Sequence, residues 1–308
     1  MSYLVIARKY RPQTFDEVVG QEHIARTLKN AIEMKRMAHA YLFSGPRGVG
    51  KTTTARILAK ALNCQIGPTS SPCNQCTACT EITDGRALDV IEIDGASNRG
   101  IDEVRELREN VKFTPSSLRY KIYIIDEVHM LTDPAFNALL KTLEEPPEHI
   151  VFMFATTEPH RIPLTIKSRC QRFNFKLIPR VQIIERLKHI CQKENIKIDQ
   201  DSLMLIARSG EGSMRDAESI MDQVVSYTGK EVKKEEVIFI LGILPMELLN
   251  RATDMIIESR PKDILNLLDE INEGGYNIHQ FINDLRQHFR NILILKTAGR
   301  ESTTPSSL

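Results

Sequence analysis

Residues 45–52 read GPRGVGKT, and no other stretch constrains the fold as strongly. The fixed positions match G-x-x-x-x-G-K-[ST]. An apolar run ending in glycine, AYLFSG (40–45), precedes it. KTTTARILAKALNC (51–64) follows with helical spacing, placing Ile57, Leu58, Ala61 and Leu62 on one side. A glycine loop between a strand and a helix turns backbone N–H groups inward and adds the positive end of the helix, which together cradle phosphate oxygens. On this spacing Gly45, Gly48 and Gly50 shape the loop. Lys51 reaches the β- and γ-phosphates of a nucleotide, Thr52 binds Mg²⁺, and Thr53 continues the contact surface into the helix.

The surrounding pattern is α/β. LDVIEID (88–94), KIYIIDE (121–127) and IVFMFATT (150–157) read as further strands. IDEVRELRENV (101–111) and AFNALLKTLEE (135–145) read as helices, the latter closed by Pro146 and Pro147. Apolar strands separated by helices imply a parallel sheet covered on both faces. In IYIIDEVH, Asp126 ends an apolar strand, where a carboxylate can hold Mg²⁺. Glu127, diverging from it, can polarise an attacking water. His129 is read as structural. Beyond about Pro179 only helical patterns are expected, ending in a polar tail over 298–308 that is expected to be disordered.

Cys64, Cys73, Cys76 and Cys79 stand as C-x8-C-x2-C-x2-C. Four thiolates fill a tetrahedral coordination sphere, so the expectation is a closed, structural zinc site; an iron–sulfur cluster is the second possibility. The run PTSSPCNQCTACT is too polar to be expected to bury these cysteines. Cys170 and Cys191 are left over and expected in the core.

Lys and Arg number 41 against 40 Asp and Glu, so any nucleic-acid contact must come from a local cluster. No run of 18 apolar residues indicates a membrane span, and the N-terminus lacks a signal-peptide pattern. The expected location is the cytoplasm, with thiols rather than disulfides.

These motifs carry a resemblance. ARKYRPQTFDEVVGQEH, the phosphate loop, the four cysteines between the first loop-bound helix and the second strand, IDEVHML, NALLKTLEEPPEH, ATTEPHRIP, SRC (168–170) and EGSMRDA (211–217) together resemble the gamma/tau ATPase subunits of the bacterial DNA polymerase III clamp loader, in the AAA+ superfamily. The resemblance covers nearly the whole chain. It implies an AAA+ core over 1–178 with the zinc module at 64–79, a helical lid over 179–242 and a partial helical collar over 243–297. It places Arg11 and Val19 at the adenine, Thr157 at the sensor-1 position and Arg215 at the sensor-2 position. It makes Arg169 an arginine finger acting on a neighbouring subunit's ATP.

The resemblance further implies an ATP-, Mg²⁺- and Zn²⁺-dependent motor. Its partners would be copies of itself, delta- and delta-prime-type subunits, a sliding clamp and the phosphate backbone of primed DNA. Candidate DNA contacts are Asn98, Arg99, Arg105, Lys141 and Arg161. The family's collar runs further than this chain, and no polymerase- or helicase-binding tail is expected. Two other readings stand beside the motor: a nucleotide-binding scaffold without its own turnover, and another AAA+ DNA machine such as a branch-migration helicase. The intact Lys51, Thr52, Asp126 and Glu127 weigh against the first, and the cysteines and SRC against the second.

Overall fold

The computed structural model describes residues 4–97, 107, 109–274, 276 and 278–298. The chain divides into two compact units, one of residues 1–186 with 210–219 and the other of 187–209 with 220–308.

The first unit is built on a five-stranded sheet of β1 (Ala40–Ser44), β2 (Val90–Asp94), β3 (Lys121–Asp126), β4 (Ile150–Thr156) and β5 (Gln171–Asn174). The strands run in the order β2-β3-β4-β1-β5, and every pairing is parallel. Alternate residues of each strand serve opposite faces. Tyr41, Phe43, Ile122, Ile124 and Met153 pack with Ile24 and Leu28 of α1 (Glu22–Glu33) and with Ile57 and Leu58 of α2 (Lys51–Asn63). Ala40, Leu42, Tyr123, Ile125, Phe152 and Phe154 pack on the other face against Phe136, Leu139 and Leu143 of α4 (Asp133–Glu144). The short α3 (Thr77–Asp84) lies against α2 and ends on Gly85 in the left-handed conformation. Burial on both faces explains why β1, β3 and β4 read as continuous apolar runs. At the sheet edge β2 is only half-buried, and Glu92 and Asp94 on it are exposed.

Parallel strands bring their C-terminal ends to one side. Ser44 pairs with Thr156, and Ile125 with Phe154. The phosphate loop after β1, the acidic pair at the end of β3 and Thr157 after β4 therefore meet along one sheet edge, where parallel α/β sheets bind ligands.

Beyond β5 the described residues form α5 (Arg180–Glu194), α6 (Gln200–Ser209), α7 (Met214–Thr228), α8 (Lys234–Leu241), α9 (Met246–Ile257), α10 (Pro261–Glu273) and α11 (Ile278–Ala298), and short one-turn helices span Ile6–Lys9 and Leu164–Lys167 in the first unit. In the second unit α6 packs on α8, and Leu249, Ala252, Leu267, Ile271 and Phe281 of α9–α11 form a core of their own.

Two expectations are corrected. Strands do not stop at Pro179: β6 (Lys197–Ile198) and β7 (Glu231–Val232) pair in parallel. Two residues each are too short to show a period of two. The strand β5 was also not anticipated, since QRFN exposes three of its four side chains. The helix expected over 101–111 and the tail fall mostly outside the described residues.

Candidate nucleotide site and cysteine centre

The loop between β1 and α2 closes on itself through Lys51. Its buried ammonium donates to the carbonyls of Gly45 and Pro46 at 2.8 and 2.7 Å. Burial lowers the Lys51 pKa, while Glu127 and Asp126 oppose that shift. Gly48 has φ of +72°, and a Cβ there would stand 1.9 Å from Ser213 Oγ. Its carbonyl accepts the Arg215 backbone N–H at 3.3 Å, so the first turn of α7 sits directly against the loop. Ser213 Oγ in turn accepts the Asp216 N–H at 3.2 Å, capping α7.

Across the loop, Thr52 Oγ1 donates to Asp126 Oδ2 at 2.7 Å. A hydroxyl and a carboxylate in contact at the phosphate loop are the protein ligands that Mg²⁺ takes in such sites. Glu127 adopts φ of +44°, a left-handed conformation that costs a non-glycine residue about 1 kcal/mol or more. Its backbone N–H donates to Asp126 Oδ1 at 2.9 Å. Glu127 Oε2 accepts both the N–H and the hydroxyl of Thr157, at 3.0 and 2.9 Å. His129, only 5% exposed, has Nδ1 3.0 Å from Thr156 Oγ1 and 3.3 Å from Glu127 Oε2; its Nε2 is 3.3 Å from Glu158 Oε1. The histidine read as structural thus touches the glutamate expected to polarise water.

These groups face a cavity of about 920 Å³ including its open mouth. Gly48, Gly50, Lys51, Thr52, Thr53, Asp126, Glu127, Arg215, Arg11 and Val19 all line it. Burial lowers the Arg11 pKa, and Arg56 and Arg215 lower it further against the opposing Glu92. Gly45 and Thr157 are not lining residues. Gly45 lies beneath the loop, where a Cβ would come 2.5 Å from the Phe175 carbonyl oxygen, and Thr157 acts on Glu127 from behind. Sequence reasoning missed Val18, Arg47, Ile178, Arg186, Met214 and Glu218, which also line the cavity. Of these, Val18, Arg47 and Met214 lie inside the quoted motifs, which could have found them.

Arg169 does not line this cavity. Its Nη2 donates to Glu144 Oε1 at 2.6 Å, and its Nη1 to the Thr165 carbonyl at 2.7 Å. Arg161 is exposed and pairs with Glu158 at 2.9 Å; Lys141 is exposed on α4. Asn98, Arg99 and Arg105 lie outside the described residues.

The four cysteine sulfurs all lie within 4.8 Å of one another. Cys64 Sγ and Cys76 Sγ are 4.0 Å apart, close to the ~3.8 Å that Zn–S bonds of ~2.3 Å require in a tetrahedron. The Cys73 N–H points at Cys64 Sγ and the Cys76 N–H at Cys73 Sγ, at 3.5 and 3.3 Å. Backbone N–H groups of Gln75 and Cys76 bring the Cys73 thiol down to about 6. Burial pushes the Cys79 thiol up. The donor set fits a metal ion whose charge would offset buried thiolates. Contrary to expectation, Cys64 and Cys79 are buried, because α2 and α3 close over them rather than the polar loop. Cys191 is buried and Cys170 half-buried, outside the cluster.

A family model described as DNA polymerase III, delta subunit, matches residues 20–179. Models for the ATPase lid domain of a DNA polymerase III clamp loader subunit and for domain III of the DNA polymerase III subunits gamma and tau match 182–230 and 232–308. DNA polymerase III subunit tau of Bacillus subtilis is 51% identical over 97% of this chain and 53% of its own length. Subunit tau of Escherichia coli is 48% identical over 89% of this chain and 43% of its own length. Subunit gamma of Buchnera aphidicola subsp. Schizaphis graminum is 41% identical over 96% of this chain and 82% of its own length. The chain thus spans about half the length of the tau relatives it matches. Among solved structures, the RuvB Holliday junction branch migration motor of Thermotoga maritima superposes with a TM-score of 0.56 at 19% identity, covering 96% of this chain and 94% of that one. That likeness is one of fold alone, the AAA+ fold. With all three family models in chain order and relatives at this identity, the chain belongs to the gamma/tau family of DNA polymerase III subunits.

Proposed function

We propose that the chain is the ATP-hydrolysing motor subunit of a clamp loader. The single observation that carries this reading is the convergence, on one cavity, of the phosphate loop, the Thr52–Asp126 pair, and a Glu127 carboxylate oriented by Thr157. Lys51 leaves the Gly45 and Pro46 carbonyls for the β- and γ-phosphates when nucleotide enters. Thr52 and Asp126 hold Mg²⁺, which offsets phosphate charge. Glu127 orients the attacking water and takes its proton; Thr157 and Arg215 read the γ-phosphate.

Arg169 belongs to a neighbouring subunit's reaction. Its guanidinium is half-exposed, held by Glu144, and absent from the lining of its own cavity. The four cysteines hold zinc as a structural ion. The core, lid and collar assemble with further loader subunits, and the ATP cycle places a sliding clamp on primed DNA held by its phosphates, with Lys141 and Arg161 as contacts.

The test is ATP turnover by wild type, Lys51→Ala and Glu127→Gln, each with the partner subunits, clamp and primed DNA. Wild type should be stimulated by clamp plus primed DNA, and both variants should lose turnover. Turnover in wild type that responds to long duplex but not to clamp and primer would overturn the clamp-loading reading. Full turnover in Glu127→Gln would overturn the assigned chemistry.

A further inference from the structure

Glu218 has no place in the chemistry just described, yet it lines the same cavity. It lies three residues beyond Arg215 on α7 and is only 5% exposed. No hydrogen bond among the described residues reaches its carboxylate. Arg186 Nε is 4.0 Å from Oε1, beyond hydrogen-bond distance, and Arg186 Nη2 donates instead to the Tyr10 carbonyl at 2.6 Å. Arg186 offsets the carboxylate's charge without giving it a hydrogen bond, so Glu218 keeps acceptor capacity toward the cavity that it lines. Burial raises its pKa to about 7, against the opposing charges of Arg186 and Arg11.

Besides the phosphate loop and Asp126, the lining takes in Ala7, Arg11, Pro12 and Ile178, and Arg186, 4.0 Å from Glu218, donates to the carbonyl of Tyr10 next to Arg11. With the triphosphate on the loop, the base falls against the remaining lining residues. We infer that Glu218 reads the base, accepting a hydrogen bond from the 6-amino group of adenine and thereby selecting adenine over guanine nucleotides. Guanine presents a carbonyl oxygen at the same place, so two acceptors would face each other. A site built to bond a donor rejects the analogue that lacks it.

This inference rests on the cavity being the nucleotide site, and the test separates the two. Equilibrium affinities for ATP, GTP and purine riboside triphosphate, which lacks the 6-amino group, are measured for wild type, Glu218→Leu and Glu218→Gln in the full chain. For wild type, loss of the 6-amino group should weaken binding by ~10-fold or more, the effect of a hydrogen bond to a charged group. Glu218→Leu should bind ATP and the 6-hydrogen analogue alike. Glu218→Gln, whose amide can turn its NH₂ toward a carbonyl, should shrink the ATP-to-GTP preference and serves if the leucine variant fails to fold. A merely structural Glu218 would lower all three affinities by one common factor, leaving the ratios unchanged, and that result overturns the inference. Absence of any nucleotide binding by wild type would overturn the nucleotide reading itself.

Discussion

Glu127 shows how much of this site is decided by single side chains. Its left-handed backbone and its two bonds from Thr157 place one carboxylate oxygen, and His129 stands 3.3 Å from the same atom. Glu127→Gln keeps the shape but cannot take a proton. ATP affinity should stay within a few-fold while turnover falls by ~10²–10⁴, the range of general-base catalysis, in single-turnover kinetics. Glu218 yields a prediction in pH. Its folded pKa, about 7, lies above the ordinary 4.5, so the folded state binds its proton more tightly. That stabilising proton is fully held below the unfolded value and is lost as pH rises through about 7. Arg186 and Arg11 are the charged groups that face it. Without nucleotide, wild type should lose stability relative to Glu218→Gln as pH rises from ~5 to ~8, by up to ~3 kcal/mol, in denaturant titrations. A difference that does not change with pH would show the carboxyl to be ordinary. The placement of Lys51, Thr52, Asp126 and Glu127 around one cavity was legible in the sequence because the spacing of the loop and the end of an apolar strand set it locally. Arg186 and Glu218 were not, because two distant helix segments bring them to the Tyr10–Arg11 strand of chain.

At the scale of elements, the phosphate loop and α7 form one device. The Gly48 carbonyl accepts the Arg215 N–H, and a side chain at Gly48 would displace Ser213 Oγ from its cap on α7. Gly48→Ala combines a left-handed penalty of ~1–2 kcal/mol with a lost cap of ~1 kcal/mol. Thermal unfolding should show that loss, and ATP affinity should fall with it because Arg215 moves. Unchanged stability would mean that loop and helix are independent. The α2–α3 pair is joined by the cysteines, and Lys60 Nζ beside them donates to Gln13 Oε1 and Asn74 Oδ1 at 2.7 and 2.8 Å. Purified protein should hold one zinc per chain by elemental analysis, and chelation or Cys76→Ser should lower the melting temperature. Metal-free protein of equal stability would contradict the zinc assignment. The long apolar strands and periodic helices were legible because burial imposes their pattern. The edge strand β5 and the two-residue strands β6 and β7 are set by pairing rather than by burial, so no period marked them. Polarity of the cysteine loop misled about burial, since the covering helices come from either side of it.

At the scale of the whole molecule, the proposed reading assigns Arg169 to a cavity other than its own. Its guanidinium is held by Glu144 away from the lining of its own cavity. On the proposed reading, a neighbouring loader subunit's cavity is the setting for it. Arg169→Ala should cut turnover by at least ~10-fold; fingers in GTPase systems contribute ~10³–10⁵. Lysine should restore little, lacking the planar fork. The most direct measurement mixes two impaired chains, Glu127→Gln and Arg169→Ala, with the partner subunits, clamp and primed DNA. The first variant still offers an arginine to its neighbour, and the second still has an intact cavity to receive it. ATP turnover of the mixture well above the summed rates of the separate variants is the predicted result. A mixture no more active than that sum, with Arg169→Ala alone turning over at the wild-type rate, would contradict a site completed across the subunit boundary.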